Sequence, residues 1–235
     1  MIPKIIHYCW FGGNPLPPDA RRCIASWKKH CPDYEIRPWN ETNFDISAHP
    51  FMRAAWDAKA WAFVSDYARL QVVYTHGGIY LDTDVELKQS LDGLLAHSCY
   101  VGLQQVGPLV ATGLGFGAQQ GHPAVKAMLD IYDTVTFDPA NREALACPIL
   151  NTQALLPFGV CREQRLQQLP ALTVYPSKFF DPVSPGDHEI LSCPETVSIH
   201  HYSASWMSFK ARLRRQIIIF LGQERMAKLR GVLKK

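Results

Sequence analysis

The sequence FVSDYARLQVVYTHGGIYLDTD, residues 63–84, decides the expected fold of this chain. It predicts a helix, a break at Gly77 and Gly78, and a short apolar strand that ends in two carboxylates. Residues two apart on a strand point to the same face. Asp82 and Asp84 are therefore expected to lie side by side, with Thr83 pointing away.

Adjacent carboxylates repel each other unless a cation joins them. Hard carboxylate oxygens suit Mn2+ or Mg2+, and either ion can hold a diphosphate. Taken alone, Asp82 and Asp84 could equally form a solvated strand end, since D-x-D arises by chance in roughly every second chain of this length. Asp66 and Arg69, three apart on the preceding helix, could likewise be an ordinary surface ion pair.

The combined pattern resembles the core of the DXD-motif sugar transferases. The matching strings are S-D-x-x-R at residues 65–69 and G-G-I-Y-L-D-x-D-V at residues 77–85. PKIIHYCWFGG at residues 3–13 and YEIRPWNE at residues 34–41 are similar to the opening strands of the same family. This family, number 32 of the glycosyltransferases, includes yeast-type mannosyltransferases and bacterial capsule and O-antigen enzymes. The catalytic domains of clostridial glucosylating toxins are more distant relatives.

The resemblance implies a role for each matching residue. Asp82 and Asp84 would bind the metal and, with Arg69, carry catalysis. Asp66 and Arg69 would hydrogen-bond the donor sugar and its phosphates, and Asp82 would also contact the donor. Trp10 would stack on the nucleobase and Tyr80 would touch the donor near its ribose or sugar. A core tryptophan and a half-buried strand tyrosine are the structural alternatives for these two aromatic residues.

The late segment VSIHHYSASW, residues 197–206, is expected to complete the metal site. A histidine there could offer a neutral imidazole nitrogen, and neighbouring residues on an extended chain point opposite ways. Only one of His200 and His201 is therefore expected to coordinate, and the resemblance favours His201. By analogy with the toxins, Ser205 and Trp206 would cover the diphosphate as a lid. A histidine stands where the toxins carry a glutamate.

Composition and pattern predict one compact α/β enzyme domain over residues 1–206. Hydrophobic residues make up 47% of the 235-residue chain and charged residues 19%, which is typical of a globular protein. Strands and helices alternate, as in a single GT-A type domain with a mixed, mainly parallel central sheet flanked by helices. Seven cysteines without a C-x-x-C pair argue against a disulfide framework or a zinc ribbon. With no secretion signal and no long apolar run, a cytoplasmic location is expected.

Residues 207–235 form a separate basic segment. They contain nine basic residues and one acidic residue, and apolar residues recur in them at four-residue spacing. Such an amphipathic tail suits the anionic inner face of a bacterial plasma membrane, although a helix packed on the catalytic domain fits equally well. Nucleic acid is not expected as a partner, because the interleaved aromatic residues of a stacking platform are missing.

Together with the family resemblance, these observations predict a metal-dependent glycosyltransferase that uses Mn2+ or Mg2+, and the resemblance implies that it retains the anomeric configuration. Its donor would be a nucleotide sugar, with UDP favoured and GDP possible. Its acceptor would be a glycan or a lipid-linked oligosaccharide in capsule or O-antigen synthesis. Two alternatives stay open, a toxin-like protein glycosyltransferase and a non-catalytic nucleotide-sugar-binding module.

Overall fold

The computed structural model describes residues 1–183 and 190–203. The helices in these ranges are α1 (Pro18–His30), α2 (Pro50–Asp57), α3 (Trp61–His76), α4 (Pro123–Asp130) and α5 (Cys147–Leu155). The strands are β1 (Ile5–Cys9), β2 (Glu35–Trp39), β3 (Gly78–Tyr80), β4 (Val85–Leu87), β5 (Cys99–Gly102), β6 (Phe116–Ala118), β7 (Gln167–Gln168), β8 (Thr173–Tyr175) and β9 (Ser198–His200). Short 3-10 turns connect several of these elements.

Seven of the described strands form one mixed sheet in the order β2-β1-β3-β6-β5-β8-β7. The pairings make β2, β1, β3, β5 and β8 run in one direction, while β6 and β7 run against them. The prediction of a mixed, mainly parallel sheet is therefore confirmed. The carboxyl ends of the five co-directional strands meet at one edge of the sheet, where ligands of open α/β sheets bind.

Helix α3 is the central helix of the domain. Val64, Ala68, Leu70 and Val73 on it are fully buried, and its buried residues face several directions around the axis. A helix that is buried on most sides carries its polar residues into the interior. Asp66 and Arg69 therefore do not form the surface ion pair that the helix pattern alone would suggest.

Two glycines turn the chain from α3 into β3. Gly77 and Gly78 have φ values of +65° and +104°, and a Cβ on Gly78 would lie 2.8 Å from the carbonyl oxygen of Ile5. His7 on β1 fixes this turn, with Nε2 2.8 Å from the carbonyl oxygen of Gly77. Since Trp39 Nε1 donates to His7 Nδ1, the Nε2 proton faces that carbonyl. His7 is thus a core histidine with both ring nitrogens hydrogen-bonded, and burial lowers its pKa to about 4.

A second sheet of two strands brings the late part of the chain to the site. Strands β4 and β9 pair antiparallel, with Val85 opposite His200. Helix α1 supports this ribbon, because Trp27 Nε1 donates to the carbonyl oxygen of Val85 and Ser26 Oγ accepts from the backbone N–H of Leu87. The ribbon therefore fixes residues 198–203 beside the Asp82–Asp84 turn.

The end of β3 differs from the sequence-based expectation. Strand β3 ends at Tyr80, so Asp82 and Asp84 lie in a turn closed by a hydrogen bond from Val85 N–H to Asp82 O. Residues 112–114 form a 3-10 turn before β6. Residues 58–60 separate α2 from α3.

Two predicted features lie outside the described residues, namely the lid residues Ser205 and Trp206 and the tail of residues 207–235. Within the described part, none of the helices has the length and hydropathy needed to cross a bilayer.

Candidate metal and donor site

Asp82, Asp84 and His200 converge at the edge of the sheet. One possible ligand atom from each of them lies within 4.8 Å of the others. The two carboxylates come from the turn after β3, and the imidazole comes from the end of β9. His200 Nε2 is 3.1 Å from Asp84 Oδ1. A turn and a paired ribbon therefore assemble the cluster that the D-x-D pattern suggests.

The third member of this cluster is His200 and not His201, which corrects the sequence-based choice. His201 Nε2 lies 2.9 Å from Glu86 Oε2, and its side chain is 37% exposed. The two histidines point in opposite directions, as the sequence predicts. The pairing of β9 with β4 directs His200, and not His201, toward Asp84. The family resemblance that favoured His201 contains no information on the register between β9 and β4.

Arg69 holds Asp82 from the interior. Its Nη2 donates to Asp82 Oδ1 at 2.9 Å, and its Nη1 lies 3.0 Å from Asp66 Oδ1 and 3.4 Å from Cys147 Sγ. Only 4% of Arg69 is exposed. The Arg69 guanidinium therefore binds protein groups in this structure. The resemblance, in contrast, implies that it hydrogen-bonds the donor phosphates. Asp66 lies behind Arg69 and is itself buried.

Tyr80 also fixes Asp82. Its hydroxyl donates to Asp82 Oδ1 at 2.9 Å, and its ring lies 5.0 Å from the Arg69 guanidinium carbon. With 1% of its surface exposed, Tyr80 is a support for Asp82 rather than an open donor-binding surface. Trp10 is different, because it is partly exposed beyond the end of β1 and its Nε1 donates to the carbonyl oxygen of Asn14 at 2.6 Å.

Negative charge dominates this site. Asp66, Asp82 and Asp84 supply three carboxylates near one guanidinium, that of Arg69. Burial raises the pKa of Asp66 to about 6, although Arg69 opposes the shift. Burial also raises the pKa of Asp82 against the effect of Arg69. Such shifts are typical of buried carboxylates whose desolvation outweighs the effect of nearby cationic groups.

Asp84 has the opposite shift. Burial works to raise its pKa, but His200 and Ser203 overcome that effect and hold the pKa well below its usual range. The backbone N–H and the hydroxyl of Ser203 both donate to Asp84 Oδ2, at 2.8 and 3.0 Å. Asp84 is therefore an ionised carboxylate that accepts several hydrogen bonds. A carboxylate must be ionised to act as a metal ligand. Two carboxylates and one imidazole form a donor set that suits Mn2+.

Gly113 is a site residue that the sequence reasoning missed. A Cβ on Gly113 would overlap Asp82 Oδ2 and would lie 3.2 Å from Arg69 Nη1. Asn151 Nδ2 holds the adjoining Thr112 by a hydrogen bond of 2.9 Å to its hydroxyl. The glycine-rich run around Gly113 was the available signal, but no spacing rule connects it with a carboxylate about thirty residues earlier.

Comparison with known proteins relates part of this chain to glycosyltransferases. Residues 17–101 match the family described as the glycosyltransferase sugar-binding region containing the DXD motif. "Inositol phosphoceramide mannosyltransferase 3" of Schizosaccharomyces pombe is 31% identical over 126 residues, which are 52% of this chain and 35% of that protein. An uncharacterised glycosyltransferase of Acanthamoeba polyphaga mimivirus is 32% identical over 105 residues, 40% of each chain. The chain thus spans between about a third and two fifths of the length of these relatives.

A solved structure, the PaToxG glycosyltransferase, shares the fold at 19% identity and a TM-score of 0.53, over 66% of this chain and 68% of that one. Residues 17–101 therefore match a glycosyltransferase sugar-binding region with a DXD motif, and the chain shares the fold of this solved glycosyltransferase structure. This confirms the resemblance on which the sequence interpretation rests. Asp66, Arg69, Tyr80, Asp82 and Asp84 all lie inside the matched region, and Trp10 and His200 lie outside it.

Replacing Gly113 by alanine should displace Asp82 and weaken Mn2+ binding by about tenfold or more, as loss of a supporting contact does in other metal sites. Gly93→Ala is a matched control, because no atom lies within 4 Å of a Cβ there and neither glycine has a positive φ. Calorimetric titration of Mn2+ into both variants measures the effect. Equal Mn2+ affinity of Gly113→Ala and the wild type would contradict the positioning role.

His200 should make the metal-free protein more stable in mild acid. Although burial disfavours the charged imidazole, Asp84 outweighs it and raises the pKa of His200 above 6.5. A raised histidine pKa adds stability that is fully present below the unfolded-state pKa of about 6.5 and is lost as pH rises through the folded-state value. Urea unfolding in EDTA should therefore separate the wild type from His200→Gln more at pH 6 than at pH 9.

The exposed neighbour provides the control for this pH experiment. His201→Gln removes a histidine that is 37% exposed, so it should change the free energy of unfolding less than His200→Gln does. A constant difference between the wild type and His200→Gln across the pH range would show that the His200–Asp84 contact has no ionic component.

Proposed function

We propose that this protein is a divalent-metal-dependent glycosyltransferase that transfers a sugar from a nucleotide-sugar donor. The observation that carries the proposal is the convergence of Asp82, Asp84 and His200 within 4.8 Å of one another at the carboxyl edge of the sheet. The DXD region of the family match contains both carboxylates. Mn2+ is the favoured ion and Mg2+ the alternative, since both accept carboxylate oxygens and Mn2+ also accepts imidazole.

The charge of the site supports the need for a metal. A donor diphosphate is anionic, and it would meet three carboxylates and a guanidinium that is already paired with two of them. A divalent ion held by Asp82, Asp84 and His200 would supply the positive charge that draws in the diphosphate and stabilises it as a leaving group. Arg69 and Tyr80 would keep the Asp82 carboxylate in place, and Trp10 would offer its indole to the nucleoside.

The acceptor proposal rests on the relatives. Fungal relatives are named inositol phosphoceramide mannosyltransferases, which supports transfer of a hexose such as mannose to a lipid-linked or glycan hydroxyl. The proposed biological setting is the synthesis of a capsule-type or O-antigen-type polysaccharide. Retention of configuration through front-face attack is the expected stereochemistry, with leaving-group stabilisation as the main catalytic contribution. A toxin-like protein glycosyltransferase and a non-catalytic binding module are the alternatives.

A donor screen tests this function. Hydrolysis and thermal stabilisation would be measured with UDP-, GDP-, CMP- and dTDP-sugars, with Mn2+, with Mg2+ and with EDTA. One donor class should be hydrolysed slowly and only with metal. Asp84→Asn should lose this turnover, while Glu86→Gln, two residues further along the chain in β4, should keep it. The amide oxygen in Asp84→Asn can still accept hydrogen bonds from Ser203, so the melting temperature of this variant serves to exclude unfolding.

The outcomes of the screen separate the alternatives. Metal-independent hydrolysis, or full activity in Asp84→Asn, would contradict the metal-site proposal. Binding of a nucleotide sugar with metal but without turnover on any glycan, lipid-linked or protein acceptor would favour the non-catalytic module. Transfer to a protein alone would favour the toxin-like alternative.

The basic segment of residues 207–235 is proposed to bind an anionic membrane surface at the inner face of a bacterial plasma membrane. Its charge of +8, from nine basic residues and one acidic residue, supports this. A protein ending at residue 206 should lose sedimentation with phosphatidylserine vesicles and keep its hydrolysis of soluble donor. Undiminished sedimentation of the truncated protein would contradict membrane binding, and its failure to fold would favour a helix packed on the domain.

A further inference from the structure

Glu41 has a carboxylate oxygen with no hydrogen-bond partner in the described part of the chain. Its Oε2 atom is buried, although the side chain as a whole is only partly so. A buried acceptor without a donor costs free energy, so such atoms usually meet a ligand or a water molecule. Neither the sequence motifs nor the metal cluster gives Glu41 a role.

The local turn does not need this side chain. After β2, Asn40 Oδ1 accepts from the N–H and hydroxyl of Thr42, and Asn43 Oδ1 accepts from the N–H of Asn40. These contacts close the turn of residues 40–43 with the two asparagine side chains. Glu41 is left pointing to the carboxyl end of β1, where its Oε1 would lie 3.5 Å from a Cβ on Gly13.

The order of strands sets the approximate separation between Glu41 and the cluster of Asp82, Asp84 and His200. Asp82 follows β3, Trp10 to Gly13 follow the neighbouring β1, and Glu41 follows β2 on the far side of β1. Neighbouring strands are about 4.8 Å apart, so the ends of β3 and β2 are separated by about 10 Å. In a nucleotide the ribose adjoins the diphosphate and the base lies beyond it. A donor whose diphosphate lies at Asp82 and Asp84 would place its ribose beside β1 and its base beside β2.

The intervening surface suits a planar base. Gly12 and Gly13 carry no side chain, and the Trp61 indole packs so closely on Gly12 that a Cβ there would lie 2.8 Å from it. Both glycines have a positive φ, at +98° and +69°, so the backbone is held in a conformation that residues with a Cβ rarely adopt. Trp10 lies close to this glycine pair in the chain and is partly exposed.

The chemistry of a carboxylate then discriminates between bases. A carboxylate only accepts hydrogen bonds, and its two oxygens can take two parallel donors. Guanine offers such a pair in its ring N–H and its adjacent amino group. Uracil offers a single ring N–H flanked by two carbonyl oxygens, which a carboxylate would repel.

We infer that Glu41 is a specificity residue that binds the guanine edge of a guanosine-diphosphate sugar. The inference rests on the proposed function, because it takes the diphosphate to lie at Asp82 and Asp84. The inference favours a GDP donor, whereas the sequence interpretation favoured a UDP donor.

Binding of nucleoside diphosphates in the presence of Mn2+ tests this inference. Calorimetry on the full chain should find GDP bound more tightly than inosine diphosphate, which lacks the amino group, and more tightly than UDP. Glu41→Gln should lose about tenfold or more in GDP affinity, the usual effect of losing a hydrogen bond to a charged group, and should change UDP affinity little. Glu35→Gln is a matched control, since Glu35 begins β2, the strand that precedes Glu41, and pairs with Arg37 on the surface.

Each other outcome overturns the inference in a recognisable way. Equal losses for GDP and UDP in Glu41→Gln, absent when 2'-deoxy nucleotides are used, would mean that Glu41 binds the ribose and does not select the base. Unchanged nucleotide affinity in Glu41→Gln would mean that the residue binds no part of the donor, while the proposed function stands. Failure of the wild type to bind any nucleotide with Mn2+ would instead overturn the proposed function itself.

Discussion

The buried guanidinium of Arg69 is the interaction on which the site depends. It lies between Asp66 on its own helix and Asp82 on the turn after β3, with only 4% of its surface exposed. Removing one partner of a buried ion pair typically costs about 3–5 kcal/mol, because the other charge is left without compensation. The core helix is thereby tied to the turn that carries Asp82 and Asp84, which would hold Asp82 in one orientation in the proposed metal site.

The path of the chain around Arg69 brings the other site residues together. The glycine break at Gly77 and Gly78 sends the chain from α3 into β3, so that Asp66, Arg69 and Asp82 meet. The β4–β9 ribbon then returns His200 to Asp84 from a distant part of the sequence. Along the same edge, the ends of β1 and β2 carry Trp10 and Glu41. In the proposed function, this sheet edge would bind the metal at its carboxylate end and the nucleoside at the ends of β1 and β2.

Much of this arrangement could be predicted from local patterns. The alternation of strands and helices along the chain predicted the α/β fold. Residues 63–84 predicted that Asp82 and Asp84 lie side by side, although the pattern assigned them to a strand and they lie in a turn. Long-range facts were harder to predict. Whether His200 or His201 faces Asp84 depends on the register between β9 and β4, which no local pattern encodes. The engagement of Arg69 by Asp66 and Asp82 depends on the burial of α3, and the role of Gly113 depends on the space beside Asp82.

Anomalous diffraction from crystals grown with Mn2+ would locate the metal ion in this protein. We expect one ion within coordination distance, about 2–2.5 Å, of oxygens of Asp82 and Asp84 and a nitrogen of His200, with Arg69 still hydrogen-bonded to Asp82. An ion held by Glu86 and His201, or a fully occupied ion elsewhere with the Asp82–Asp84–His200 cluster empty, would contradict this expectation.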